Sequence, residues 1–248
     1  MRIVDAMDAQ TRDSISALGP CGSCGQCLHC EARTRSICSV IDPDNMARLA
    51  QYSHRLSVAP GKTFIQEGEA AADFYIVTAG HVKIFTLMPD GRRQITGFGQ
   101  SGDFLGLASG ATYAFSAEAL GPLSLCRFSR TGLGLLRREF PELELRLMEE
   151  ASRELVQAQR RMLLLGRKTA RERLASFLLE QHHLSPTKEI VIHLPMSRTG
   201  IADYLGLTIE TVSRTLNALQ REMMITITQV TQITLLNLPA LEHLARGG

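Results

Sequence analysis

The chain has 248 residues, and 27 Lys and Arg stand against 25 Asp and Glu, for a formal net charge of +2 at neutral pH. That length serves one large domain or two modest ones with separate cores, and the charge balance excludes any nucleic-acid argument from overall charge alone. No apolar run approaches a membrane span, and with Trp absent and aromatics at 5% the cores must be built from aliphatic side chains.

Residues 1–40 have neither a helical nor a strand period, and they read as an irregular segment ordered by whatever its sulfurs bind. Five of the six cysteines crowd the stretch CGSCGQCLHCEARTRSIC, namely Cys21, Cys24, Cys27, Cys30 and Cys38, while Cys126 stands alone in LSLCRF. Thiolates bind iron, zinc and iron–sulfur clusters, and CxxC spacing brings two sulfurs to one centre from a short loop. Disulfides are the rival use. The N-terminal MRIVDAMDAQTRDSISALGP has no apolar signal-peptide core, which places the chain in a reducing cytoplasm and favours metal over bridges.

From Pro43 to Gln51 a short amphipathic helix is expected. Next come short alternating segments (RLSV, TFIQEG, FYIVTAG, HVKIFTLM, RQITGFGQSGDFLG, FSAEAL, LSLCRFS) broken by Gly, Pro and Asp, the rhythm of an all-β barrel or sandwich. After Phe140-Pro141 the period changes. Met148, Ala151, Leu155, Ala158, Met162 and Leu165 recur at steps of three and four, flanked by charged residues, which predicts the seam of a two-stranded coiled coil and hence a homodimer. A helix packed on its own barrel is the plainer alternative. The small and flexible residues in the stripe predict a marginal interface, which suits a switch.

Helical pattern resumes at Thr169, breaks at Leu184 to Thr187, and is followed by a strand-like IVIHL, the stretch Ser197 to Gln220, two short strands and a small terminal helix, a winged-helix order. Within Ser197 to Gln220, Ala202 is small where two helices would cross, Gly206 sits where a turn needs positive φ, and Val212 would pack the second helix on the first, with Ile201, Leu205, Leu207 and Leu216 completing the interior. These are helix-turn-helix constraints, with a purely structural helical hairpin as the alternative. On the second helix Glu210, Ser213 and Arg214 share one face at i, i+3 and i+4. Arginine reads guanine, a carboxylate accepts from the cytosine amine, and a hydroxyl serves several base edges. Thr208, Thr211, Arg198 and Arg221 are expected on phosphates, where they position without specifying. A solvated Glu210–Arg214 pair is the competing use of those charges.

The order of cysteine loop, β-barrel, heptad helix and LGLTIETVSRTL resembles the CRP/FNR superfamily of transcription regulators, and the cysteines make the chain similar to its FNR-type (FnrN/FixK-like) oxygen sensors. The sharpest elements are ETVSR, RQITGFGQSGDFLG, LLLGRKTARERLASFL and the cysteine set. The resemblance implies an α+β chain with a cyclic-nucleotide-binding-like β-barrel (jelly roll), a long dimerisation helix and a C-terminal winged helix-turn-helix. The corresponding boundaries are 1–40 for the cysteine-rich segment, 41–140 for the barrel, 141–168 for the helix and 169–248 for the DNA-binding domain. It further implies one [4Fe–4S] cluster per subunit, a palindromic site with TTGAT half-sites, loss of dimerisation and DNA binding in oxygen, and contact with RNA polymerase, for which the hairpin Thr86 to Arg93 is a candidate despite its basic MPDGRR tip.

In nucleotide-binding relatives an acid follows the GDF-like turn and an Arg precedes the Ser/Thr of the phosphate site. Here Leu107 and Phe115 occupy those places, and an apolar pair neither neutralises a cyclic phosphate nor accepts from a ribose hydroxyl. No cyclic nucleotide is expected. The FnrN-like pattern fits Cys27, Cys30 and Cys38 with Cys126 as the isolated barrel ligand, leaving Cys21 and Cys24 spare. The rival loop set Cys21, Cys24, Cys27 and Cys30 is somewhat similar to a ferredoxin motif but lacks its longer final gap and Pro. Spacing alone does not separate a cluster from zinc. Nitric oxide or another redox signal, and a zinc-stabilised or electron-transfer protein without DNA recognition, also remain open. No nucleophile–base pair or phosphate loop marks an enzyme.

Overall fold

A computed structural model describes residues 15–20, 27–107, 110–184, 190–229 and 231–247, with backbone alone for 16–20. They fall into two compact units, one comprising the chain up to Gly91 with Thr96–Glu154, the other Leu155 onward with Arg92–Ile95.

In the first unit, β1 (Ile15–Pro20), β2 (Ser53–Val58), β4 (Asp73–Ala79), β7 (Phe104–Leu105) and β9 (Leu123–Ser129) form a five-stranded sheet in the order β1-β2-β9-β4-β7. A second sheet has the order β3-β8-β5-β6, from β3 (Thr63–Ile65), β5 (Val82–Leu87), β6 (Arg93–Gly99) and β8 (Ser116–Ala119). The strand β1 corrects the expectation of an N-terminal segment without strands. It pairs antiparallel with β2, and the register slips between Ala17 and Pro20. Too short to show an alternating pattern and ending in Pro, it is the kind of edge strand that sequence periodicity misses.

The two-residue period of the strands sorts side chains onto two faces. On β4 and β9, Tyr75, Val77, Leu123 and Leu125 belong to one core, with Leu56, Val58, Ala117 and Ala119. Phe74, Ile76, Cys126 and Phe128 belong to the other. Against this second face pack Ile37 and Ile41 from the turns after the cysteine loop, Met46 and Leu49 of α1 (Met46–Gln51), Leu133 and Leu136 of α2 (Arg130–Glu139), and Leu143 at the start of α3 (Glu142–Arg167). The cysteine segment itself runs through two short 3-10 turns, Arg33–Arg35 and Ile37–Val40, the second capped by the Ser36 hydroxyl.

The second unit holds the later part of α3, then α4 (Ala170–Leu184), β10 (Val191–His193), α5 (Arg198–Leu205), α6 (Ile209–Arg221), β11 (Ile225–Gln229), β12 (Gln232–Leu235) and α7 (Leu238–Ala245). The strands form one sheet in the order β10-β12-β11. Ile201, Ala202, Leu205, Val212, Leu216 and Leu219 are buried between the helices, and each large aliphatic among them stabilises by about 1.5–3 kcal/mol. Leu207, expected in that interior, is only half-buried, while Tyr204 and Leu219 fill it instead. Among the described residues no helix is long and apolar enough to cross a membrane.

Candidate functional site

The chain from α5 to α6 turns within three residues because its caps are local. Ser197 accepts from the Gly200 N–H to start α5, and Gly206 ends it at φ +61°, a left-handed conformation open to glycine at little cost. Thr208, expected on a phosphate, is the N-cap of α6. Its hydroxyl accepts from the Thr211 N–H at 3.2 Å, a cap worth about 1 kcal/mol. Glu210 and Arg214 are exposed on the first turns of α6, with Ser213 and Thr211 half-buried beside them and Arg198 half-buried on α5. The Arg214 guanidinium donates to Thr211 Oγ1 at 3.4 Å. The Glu210 carboxyl is held below its usual range by its own backbone N–H and the Thr208 hydroxyl, with Arg214 adding a smaller pull. It is therefore an ionised acceptor.

The same face continues further than the motif. Arg214, Asn217, Gln220 and Arg221 line an open depression that Met223 and Thr226 close on the side of β11. Asn217 escaped sequence reasoning, although its spacing of three from Arg214 and four from Ser213 is the helical signal that would have found it.

At the other end of the chain, Cys27, Cys30, Cys38 and Cys126 line one cavity, with Arg33, Ser36, Met46, Ile76 and Phe128 around them. Cys126 is buried, the three loop cysteines are half-buried, and none of the four is in a disulfide. The parity of β9 explains this convergence: Cys126 shares the face of Phe128, on which the loop packs, whereas Leu125 points into the other core. Burial pushes the Cys38 thiol up to about 12; the Ser36 hydroxyl opposes the rise, and the nearby Cys30 and Cys27 add to it. A thiolate there needs a cation, and a soft-metal group bound by four sulfurs fits this donor set. Among the described residues no three His, Cys, Asp or Glu are drawn tightly enough together to hold a single metal ion. Cys21 and Cys24 lie outside the described residues.

Residues 172–244 match the Crp-like helix-turn-helix domain, and residues 55–138 match the cyclic nucleotide-binding domain. The chain is 43% identical over 195 residues to the nitrogen fixation regulation protein FixK of Bradyrhizobium diazoefficiens, an overlap covering 77% of this chain and 82% of FixK. It belongs to the CRP/FNR family of transcription regulators. The transcriptional activatory protein AadR of Rhodopseudomonas palustris is 41% identical over 202 residues, 80% of this chain and 84% of AadR. The solved structure of FixK2 from Bradyrhizobium japonicum superposes with a TM-score of 0.73 at 38% identity, over 77% of this chain and 96% of that one.

As a CRP/FNR regulator the chain binds DNA through its helix-turn-helix, belongs to a dimeric family and is not an enzyme. Part of α3 presents an exposed apolar face. Met148, Leu155 and Met162 are 65%, 60% and 71% exposed, and Ala151 is exposed with them. Leu145, Val156 and Leu163 widen this face, beyond the six residues read from the heptad. Ala158 and Leu165 are half-buried, and Leu165 instead lies against the turn glycine Gly206. The cause is the drift of a 3.6-residue helix against a 3.5-residue repeat, about 20° per heptad, which rotates the last member of the stripe away from it.

The barrel turn that carries a ribose acid in nucleotide binders presents Leu107 exposed to solvent, and Phe115 packs on the barrel core beside Tyr113. Instead, this turn serves the cysteine loop. Gly102 has φ +102°, and a Cβ there would stand 2.7 Å from Cβ of Arg35. The Arg35 carbonyl accepts from Arg146 of α3 at 3.5 Å, and Arg146 is paired with Glu149 and Glu150 at 2.8 and 2.9 Å.

Proposed function

We propose that the chain is an oxygen-responsive transcription activator. It holds a [4Fe–4S] cluster on Cys27, Cys30, Cys38 and Cys126 and, with the cluster intact, binds as a homodimer to a palindrome with TTGAT-type half-sites ahead of anaerobic or microaerobic genes. The observation that carries this reading is the meeting of three loop thiols with Cys126 in one cavity. When bound, such a cluster supplies an oxygen-labile tie between loop and barrel. Cys27, Cys30, Cys38 and Cys126 would hold the cluster as thiolates, and the same four donors would also suit zinc, from which iron and sulfide content separates it.

The chain's own residues supply the rest of the switch. Cys126 fixes one side of the cavity to β9, and the loop passes its position to α3 through Arg35, which rests on Gly102 and is gripped by Arg146. The apolar face from Leu145 to Leu163 joins two copies, and dimerisation couples the half-sites because each alone binds weakly. Glu210, Ser213 and Arg214 read bases in the major groove, while Thr211, Arg198 and Arg221 hold phosphates. The β5–β6 tip, where Leu87 and Met88 are exposed, offers RNA polymerase a surface. No cyclic nucleotide enters this scheme, and the chain works in the cytoplasm.

The test is anaerobic isolation of the full-length chain, followed by iron and sulfide analysis, an absorption spectrum before and after air, and DNA binding in both states. About four irons per chain, a visible band bleached by air, and a parallel loss of affinity for a TTGAT palindrome are expected. A colourless protein with stoichiometric zinc would end the oxygen-sensor reading.

A further inference from the structure

The end of α3 and the start of α4 are separated by Lys168 and Thr169 only, and such a short joint leaves the last carbonyls of α3 without helical partners. Arg173, half-buried on α4, fills this gap. Its Nη2 donates to the Leu165 carbonyl at 2.9 Å and its Nε to the Lys168 carbonyl at 2.9 Å. The same guanidinium reaches the helix-turn-helix: Nη1 donates to the Leu205 carbonyl at 2.8 Å, with the Gly206 carbonyl at 3.5 Å. One planar fork therefore caps two helix C-termini, that of α3 and that of α5, and its charge is favoured by both helix dipoles. No other side chain has the donors for this; lysine offers a point charge and alanine nothing.

Three further contacts fasten the same junction. The Arg161 guanidinium lies over the Tyr204 ring at 5.2 Å, and the Tyr204 hydroxyl donates to Glu180 at 3.0 Å. The Leu165 side chain stands 3.5 Å from where a Cβ on Gly206 would be. Arg161 and Leu165 of α3, and Lys168 just after it, are half-buried at this junction, whereas Met148, Leu155 and Met162 stay exposed, so α3 can hold its own reading head and a second copy at the same time.

We propose that Arg173 is a positioning residue for DNA recognition: by locking the last turn of α3 to the helix-turn-helix turn, it fixes the spacing at which a dimer presents its two recognition helices. This inference rests on family membership and dimerisation, and is independent of which signal the cysteines receive. Two half-sites lie about 10–10.5 base pairs apart, centre to centre. Adding one base pair moves a half-site by about 3.4 Å and turns it by roughly a tenth of a revolution, which a rigid dimer rejects and a loosely jointed one follows. Spacing discrimination therefore reads the lock, while binding to a single half-site reads the recognition helix alone.

The experiment uses the anaerobically isolated full-length chain and the inverted repeat that it selects from a random DNA pool. It compares that repeat with versions one base pair longer and shorter and with a single half-site. The unaltered chain should prefer its own spacing. Arg173→Ala should still dimerise by sedimentation and bind the single half-site unchanged, yet lose about tenfold on the cognate repeat, so that its affinities for the three spacings converge. Arg173→Lys should fall between the two. Where Arg173→Ala fails to fold, Arg173→Gln carries the same expectation, since an amide reaches one helix end but not both. A folded, dimeric variant that keeps the spacing preference overturns the proposal. So does one that loses the single half-site or the dimer, because Arg173 would then be holding up the fold and not setting an angle.

Discussion

The reading helix and the cysteine cavity assemble their functional side chains by opposite means. On α6, a helix of 13 residues, Glu210, Ser213, Arg214, Asn217 and Arg221 share a face because the 3.6-residue repeat puts them there before any tertiary contact forms. At the cavity, three thiols come from irregular turns and the fourth from the middle of β9, and they meet only after the loop has packed on the sheet. A site of the first kind should weaken contact by contact. A site of the second kind needs every donor at once.

The largest effect expected breaks the cavity outright. Cys126→Ser should abolish iron and sulfide in the anaerobically isolated protein, and Cys27→Ser, Cys30→Ser and Cys38→Ser should do the same, while Cys21→Ser and Cys24→Ser load almost normally. Elemental analysis per chain decides it. Normal loading in Cys126→Ser would move the site wholly into the loop and erase the contrast with α6.

Arg214→Ala tests the graded side. One bidentate arginine–guanine contact is worth about 1–3 kcal/mol, so the two subunits of a dimer should lose about 2–6 kcal/mol on the cognate palindrome. Affinity for unrelated DNA should change little, and site selection should show relaxed preference at one position per half-site. Unchanged affinity for a TTGAT-type palindrome would remove the DNA-reading role from this face.

The same contrast explains how much was legible. The helix-turn-helix could be read from Ala202, Gly206 and Val212 because each answers a constraint set by near neighbours: a close crossing, a positive φ, a buried contact. The exposed apolar stripe of α3 was legible as a period but not in its breadth. Leu145, Val156 and Leu163 are exposed only because nothing else in the described chain covers them, and Leu165 is turned by helical drift. For the cysteines, the residue types and the family resemblance named four candidates, but spacing left several sets open. What brings Cys126 to the loop is strand parity on β9 together with the packing of Ile37 and Ile41, which is tertiary information. The Arg35–Gly102 approach and the Arg173 clamp were invisible for the same reason, since backbone carbonyls carry no sequence signature.

Two carboxylates sharpen the comparison. Glu210 is exposed and held below its usual range, whereas burial pushes Asp103, beside the turn that supports Arg35, up to about 6, and Glu154 and Glu150 add to the rise. Asp103 Oδ2 accepts from the Gln100 N–H at 2.7 Å. With the folded value near 6 above the usual 3.8, the folded chain binds this proton more tightly than the unfolded one. The contribution of Asp103 is therefore most favourable below pH 4 and declines as pH rises through 6. Asp103→Asn, which can still accept from Gln100, should stabilise the chain at pH 7.5 by up to about 3 kcal/mol. The gain over the unaltered chain should vanish by about pH 4 in melting curves. A gain independent of pH would mean that packing, not charge, is responsible.

The smallest effect separates base reading from backbone positioning along one face of α6. At 1.5 Å per residue, Asn217 lies about 10 Å from Glu210 along the axis and Arg221 about 16 Å, against a major groove about 12 Å wide. On the docking proposed above, with the Glu210–Arg214 face in the groove, Asn217 would still reach base edges and Arg221 would fall on the phosphates. Arg221→Ala should lower affinity for cognate and unrelated DNA alike, and should reduce the slope of log affinity against log salt by about 1 per subunit. Asn217→Ala should leave that slope intact and alter preference at a single base. If Arg221→Ala changes base preference and not the slope, the helix enters the groove further along its length than the Glu210–Arg214 face implies, and the order of reading and positioning residues on α6 is reversed.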